Sequence, residues 1–187
     1  MAARALAFRT GNVLATTFTG TLSERHGVRV ERVPTTQRLL DWFELNDFAV
    51  GSCSPAQLDR ACELRESIHV VATAAASKAR LPAAATRMLN SCSTQGHATA
   101  VLTKEGELRW HLETASVEDA LSVIAADAIA LVSGGRDGRL AVCSSATCQA
   151  VFLDSSQSRT RRWCDMNSCG NRQKKDRLRA KQQAKTP

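Results

Sequence analysis

The stretch that decides the fold runs from Cys143 to Arg172, CSSATCQAVFLDSSQSRTRRWCDMNSCGNR. It holds four cysteines in the pattern Cys143-x4-Cys148-x15-Cys164-x4-Cys169. Two close pairs separated by a loop of this length suit tetrahedral zinc, which gathers four thiolate sulfurs at about 2.3 Å. Each pair must then come from a tight turn, and the small residues Ser144, Ser145 and Ala146 allow one. Four thiolates leave no open coordination position, so one structural Zn²⁺ is expected rather than a catalytic one. The competing readings are two disulfides, unconnected buried thiols, or a labile zinc–thiolate centre that responds to oxidants.

The surroundings favour the metal. From Gly138 to Pro187 the large apolar residues are Leu140, Val142, Val151, Phe152, Leu153, Trp163, Met166 and Leu178. A segment of roughly fifty residues with that inventory lacks a self-sufficient core. A structural zinc contributes about 10–16 kcal/mol of apparent binding free energy coupled to folding. LAVCSSATCQAVFLD reads as a short hairpin with the first cysteine pair at its turn. SSQSRT is a polar link, and a helix is expected from about Ser168 to Gln183.

Charge is distributed unevenly. The chain of 187 residues carries +7, yet from Arg159 onward ten basic residues face only Asp165 and Asp176. That segment is +8, and everything before it is −1. Four thiolates around Zn²⁺ leave a negative site, which Arg161, Arg162 and Arg172 would offset. The excess extends well past the metal and needs solvent or an external anion. On a helix, Arg172, Lys175 and Arg179 share one face, and Lys174, Arg177 and Lys181 an adjacent one. Two cationic stripes can track a phosphate backbone. Arg159, Arg161, Arg162, Asn171, Arg172, Lys174, Lys175, Arg177 and Arg179 are the candidate nucleic-acid contacts, with Asn171 and Gln173 able to read base edges. Double-stranded DNA is the expected partner. RNA is the alternative, although Trp163 is the basic segment's sole stacking aromatic. A solvated basic tail beside a zinc-dependent protein-interaction module is the other.

The preceding residues read as a mostly helical α+β domain over 1–135, and 136–187 as the zinc module with its basic helix. A weakly defined first helix is expected over Asn12 to Leu22 and a short strand over Val28 to Val33. Thr35 or Thr36 caps a helix reaching Leu45, and Ser54-Pro55 opens one that ends near Ser77. Pro82 starts another, stopped at Gly96. Two alternating runs flank Lys104-Glu105-Gly106 as a hairpin. Ser116-Val117-Glu118-Asp119 caps a helix through Leu131, and the Gly-rich stretch up to Gly138 separates the two parts. The low aromatic fraction of 4% predicts a core of Ala, Leu and Val. Cys53, Cys62 and Cys92 have no paired spacing and read as small buried residues.

The C-terminal segment resembles the CGNR zinc finger, named for the string found at Cys169-Gly170-Asn171-Arg172. The likeness extends to Cys143 and Cys148, VFLD (Val151 to Asp154), RTRRWC (Arg159 to Cys164) and MNSCGNR (Met166 to Arg172). In that family the finger follows an ABATE domain, associated with stress-induced transcription regulation. TGTLSER, TTQRLLDWF and ACELRESI are similar to strings of that domain. The resemblance implies a helical first domain with some strand, a treble-clef-like or ribbon-like four-cysteine zinc module, and DNA binding through the finger.

Arg25, Trp42, Arg65 and His69 are a candidate pocket for a small anionic effector, set against the plainer reading of a surface ion-pair set beside a core tryptophan. No nucleophile–base pair, P-loop or dinucleotide fingerprint occurs, so no enzyme is expected. Met1 to Ala15 lacks a secretory pattern, and no stretch of 18 apolar residues exists. A cytoplasmic, bacterial protein without membrane contact is expected, with a homodimer compatible with a single small finger.

Overall fold

The computed structural model describes residues 7–9, 11 and 13–183. Asn12, where the expected first helix begins, lies outside them. The architecture is mixed: six α-helices and three two-stranded antiparallel hairpins among the described residues.

The helices are α1 (Leu14–Thr19), α2 (Thr36–Leu45), α3 (Pro55–Ala76), α4 (Ala83–Gln95), α5 (Val117–Val132) and α6 (Asn171–Gln183). VEDALSVIAADAIALV in α5 is apolar on nearly every side, and a helix of that kind must be enclosed. It is the central element, with α1, α3 and α4 packed around it. Val117, Ala120, Leu121, Ile124, Ala125, Ala128 and Leu131 are buried there. α3 contributes one stripe, Ala61, Leu64, Ile68, Val71 and Ala72, at helical spacing. α2 adds Leu39, Trp42 and Phe43. The Trp42 ring lies 4.9 Å from Phe18 and 5.9 Å from Phe43, in tilted and edge-on contacts. Cys92 is buried in this core, whereas Cys53 and Cys62 are only partly covered.

Local capping explains the boundaries. Thr35 accepts the Arg38 N–H to start α2. Ser54 and Gln57 form a reciprocal capping box at α3, with Pro55 at the first helical position. Ser116 caps α5. Asp119, in the first turn, accepts the His97 and Thr114 N–H groups at 2.8 Å each and so ties the hairpin β3 (Ala98–Leu102)–β4 (Leu108–Leu112) to that helix. Gly96 lets the chain pass so close that a Cβ would sit 2.2 Å from the Glu118 carbonyl oxygen.

Two expected elements are shorter than their periodicity suggested. α1 ends at Thr19, because Gly20 follows and Thr21 turns back to bond the Phe18 carbonyl through both its N–H and its hydroxyl. Leu22 is therefore not helical: Leu22–Ser23 (β1) pairs with Val30–Glu31 (β2). The strand expected over Val28 to Val33 is reduced to two residues, with Val28 left in the exposed turn.

The C-terminal part begins at Gly138, whose φ of 142° lies outside the range of ordinary side chains. β5 (Arg139–Val142) and β6 (Val151–Asp154) form its hairpin, followed by a π-helical turn (Met166–Gly170) that runs into α6. The hairpin is two-faced, as the period of a strand requires. Leu140 and Leu153 pair and join the main core, whereas Ala141 and Phe152 pair and face the cysteines. The finger is thus docked on the first domain by apolar contact with α1 and α3. No helix among the described residues is long and apolar enough to cross a membrane.

Candidate metal centre and nucleic-acid interface

Four sulfurs converge at the end of the β5–β6 hairpin. The Sγ atoms of Cys143, Cys148, Cys164 and Cys169 all lie within 4.8 Å of one another. Cys148 is 3.6 Å from Cys164, and Cys164 is 3.8 Å from Cys169. A tetrahedron with arms of about 2.3 Å has edges of about 3.8 Å, so the spacing fits a tetrathiolate metal. It rules out disulfides, whose sulfurs would stand about 2.05 Å apart. Cys143, Cys148 and Cys169 are buried and Cys164 is partly covered.

The electrostatics also call for a cation. Hydrogen bonds from Cys143 and Cys164 push the Cys148 thiol well down. Cys164 is pushed up as a donor to Cys143 and Cys148, and burial plus the Cys148 charge push Cys169 up to about 12. The protein alone therefore favours a thiolate at Cys148 and opposes one at Cys164 and Cys169. Zn²⁺ supplies the missing positive charge and a structural crosslink, held by these four residues in a closed, non-catalytic set.

The backbone around each ligand is ordered by hydrogen bonds. The first turn is closed by Cys143 N–H to the Ala150 carbonyl (2.8 Å) and Cys148 N–H to that of Ser145 (3.2 Å). Ser144 N–H donates to the Arg162 carbonyl at 2.8 Å, which joins the first turn to the second. Asp154, fully buried, accepts the Ser156 hydroxyl and the Arg161 N–H and so shapes the link between the turns. Asp165 caps the π-helical turn by accepting the Asn167 and Ser168 N–H groups.

The string Cys169-Gly170-Asn171-Arg172 can be read residue by residue. Cys169 is a ligand. Gly170 makes room for Met166, whose sulfur would lie 2.8 Å from a Cβ at that position. Asn171 donates its Nδ2–H to the Asn167 carbonyl at 3.2 Å and links α6 to the preceding turn. Arg172 leaves its helix to grip Glu24 of the first domain with both guanidinium nitrogens, at 2.6 and 3.0 Å.

The other candidate cations separate into two groups. Arg159 pairs with Asp137. Arg161 donates to the Cys164 carbonyl and lies over the Phe152 ring. Arg162 lies over the Trp163 ring at 5.5 Å. Lys174, Lys175, Arg177, Arg179 and Lys181 are exposed along α6, with no acidic partner among the described residues.

The candidate effector residues are not all brought together. Trp42 is enclosed in the core. Arg25, Arg65, Glu31 and Glu66, with Leu22 and Arg29, surround a small cavity of about 350 Å³. The charges of Arg25, Arg65, Glu31 and Glu66 are mutually satisfied. Arg65 holds Glu31 in a two-pronged pair at 2.7 Å, donates to Glu66 at 2.9 Å, and reaches Thr21. Arg25 binds Glu66 and the Thr19 carbonyl. This network fastens the β1–β2 turn to α3. His69 stands beside it with a buried, unpartnered Nδ1, and burial together with Arg25 lowers its pKa to about 4. A larger cleft of about 710 Å³ follows the seam between the segment around Phe8 to Gly20 and the finger. Glu24, Thr147 and Asp154 were not singled out by sequence reasoning. Asp154 was visible within VFLD, whereas nothing local marks Glu24 as a neighbour of Arg172.

A family model described as "Putative stress-induced transcription regulator", ABATE, matches residues 12–135. A second, the CGNR zinc finger, matches residues 139–182. No curated protein matches the chain. With the first model covering most of the chain and the second containing all four converging cysteines, the chain belongs to the ABATE family and carries a CGNR zinc finger.

Proposed function

We propose that this zinc-binding regulatory protein is a DNA-binding transcriptional regulator. The observation that carries the reading is α6, a cationic helix that leaves the metal centre directly and exposes five cations with no acidic partner among the described residues. Its 13 residues span about 20 Å, a length that fits a major groove. The metal-bound turns supply rigidity, so that Lys174, Lys175, Arg177, Arg179 and Lys181 meet phosphates without first ordering a frayed tail. Arg162 at the adjoining turn extends this surface. The protein's role is binding rather than catalysis, in keeping with a thiolate set that leaves no coordination position open. The first domain acts as the sensing part, and the seam cleft offers a small effector access to the finger's placement.

Titration of labelled duplex DNA at rising salt tests this. Five phosphate contacts predict a log–log slope of about −4 to −5. Chelation of the metal abolishes binding. No duplex binding even at low salt would leave the finger as a protein-docking module, and preference for single-stranded RNA would replace DNA as the partner.

A further inference from the structure

The two cysteine-bearing turns and the first domain meet at a single carboxylate. Glu24 lies in the turn after β1, with a φ of 53° that a non-glycine residue adopts only at some cost. Its side chain is only 14% exposed. One carboxylate oxygen accepts the Thr147 hydroxyl at 2.7 Å and Arg172 Nη1 at 2.6 Å. The other accepts Arg172 Nη2 at 3.0 Å. Arg172 also donates to the Thr147 hydroxyl oxygen at 3.0 Å, which closes the ring of contacts. Two residues further on, the His26 N–H donates to the Thr147 carbonyl at 3.0 Å. Gly27 approaches so closely that a Cβ there would sit 3.0 Å from the Thr147 Cβ.

The placement of these partners gives the contact its meaning. Thr147 immediately precedes the ligand Cys148, and Arg172 follows the ligand Cys169 by three residues. Glu24 therefore holds one residue near a ligand of each cysteine pair. Removing a contact made directly to a metal ligand typically lowers metal affinity about 10–100-fold, and Glu24 acts one step further out, through Thr147 and Arg172. The pairing is also two-pronged between guanidinium and carboxylate, the strongest form of such a contact.

We propose that Glu24 is a positioning residue of the zinc centre supplied by the ABATE domain, and that Arg172 is its latch rather than a phosphate contact. Zinc retention then depends on the conformation of the Leu22–Gly27 turn, and reciprocally loss of zinc releases the finger from the first domain. Strain, charge and packing converge on that turn, which the Arg25–Glu66 and Arg65–Glu31 pairs anchor to α3. The inference rests on the zinc site and not on DNA binding.

The test is chelator competition on the full-length, zinc-loaded chain, with circular dichroism to verify folding. Glu24→Gln keeps the shape of the side chain and removes its charge, and it is expected to raise the zinc dissociation constant about 10-fold, the lower end of that range. Arg172→Gln is expected to do the same. The double variant should be no worse than the weaker-binding single, because both break one contact. Thr147→Val probes the clasp from the finger side, with a severalfold loss, and gives the same readout should Glu24→Gln misfold. Metal affinities within twofold of the parent for all three single variants would overturn the proposal, as would full additivity in the double. DNA binding separates the two roles of Arg172. At saturating zinc, Arg172→Gln should leave the salt slope unchanged, and a slope reduced by about one would return Arg172 to the phosphate-contact set.

Discussion

The two halves of this protein are stabilised by different physics. In the ABATE domain, Leu39, Trp42, Phe43, Leu64 and Ile124 are fully enclosed, and the core is continuous through α1 to α5. In the finger, the buried cluster has five members, Ala141, Cys143, Cys148, Phe152 and Cys169, and three of them are metal ligands. Without the metal, that cluster is little more than one phenylalanine, one alanine and four crowded thiols. The first domain is an ordinary apolar fold that tolerates small losses. The finger depends on one coordination event and on a borrowed surface, the Leu140 and Leu153 face docked against α1 and α3.

The sharpest way to break this comparison is to remove a ligand. Cys164→Ser, or a strong chelator, forfeits most of a coupling of about 10–16 kcal/mol. The finger should unfold, the α6 helicity and DNA binding should disappear, and the first domain should keep its cooperative melt. Hydrogen exchange resolved by segment checks this, and joint unfolding of both halves would show that the docked face dominates instead. The converse cut is Ile124→Ala in α5, at an expected cost of about 3–4 kcal/mol. The melting temperature should fall by about 10 °C, while metal analysis still finds one zinc per chain below the transition.

Smaller changes sharpen the contrast. Lys175→Ala and Arg179→Ala lie on the exposed side of α6 and touch neither core. Each should reduce the salt slope of DNA binding by about one with no change in zinc content or stability. The smallest effect expected is the share of the acid sensitivity that Asp119 contributes to the first domain. Burial opposes the charge on Asp119, but hydrogen bonds from His97 and Thr114 outweigh it and hold its pKa at about 2, below the ordinary 3.8. A carboxylate lowered on folding stabilises the fold above its ordinary pKa and loses that contribution as pH falls toward the folded value. Thermal melts should therefore show a decline between pH 3.8 and about 2 that Asp119→Asn makes shallower, the remainder coming from the other lowered carboxylates, Glu31 and Glu66 among them.

Much of this was legible in the chain because its causes are local. The caps at Thr35, Ser54 and Ser116, the proline at 55 and the turn at Gly106 act within a few residues, and the corresponding helices and hairpin appear where those signals stand. The two x4 pairs announced the metal because a tight turn must deliver each pair. Periodicity failed where a tertiary partner competed for the backbone. Leu22 fits a helical stripe, yet the Thr21 turn and pairing with Glu31 claim it for a strand. Arg25, Arg65 and His69 share a neighbourhood as their spacing suggests, but Glu31 and Glu66 neutralise the arginines, and Trp42 is drawn instead into the aromatic core by Phe18 and Phe43.

Residue order alone was enough to specify the zinc ligands, the cationic face of α6 and the capped start of α5, because thiolate spacing, helical period and capping need no distant partner to take effect. The fate of Arg172 was settled by folding. In sequence it is one more charge in a basic run. In space the docked hairpin brings it to Glu24, 148 positions away, and Coulomb attraction there makes a bond between domains that no local pattern announces.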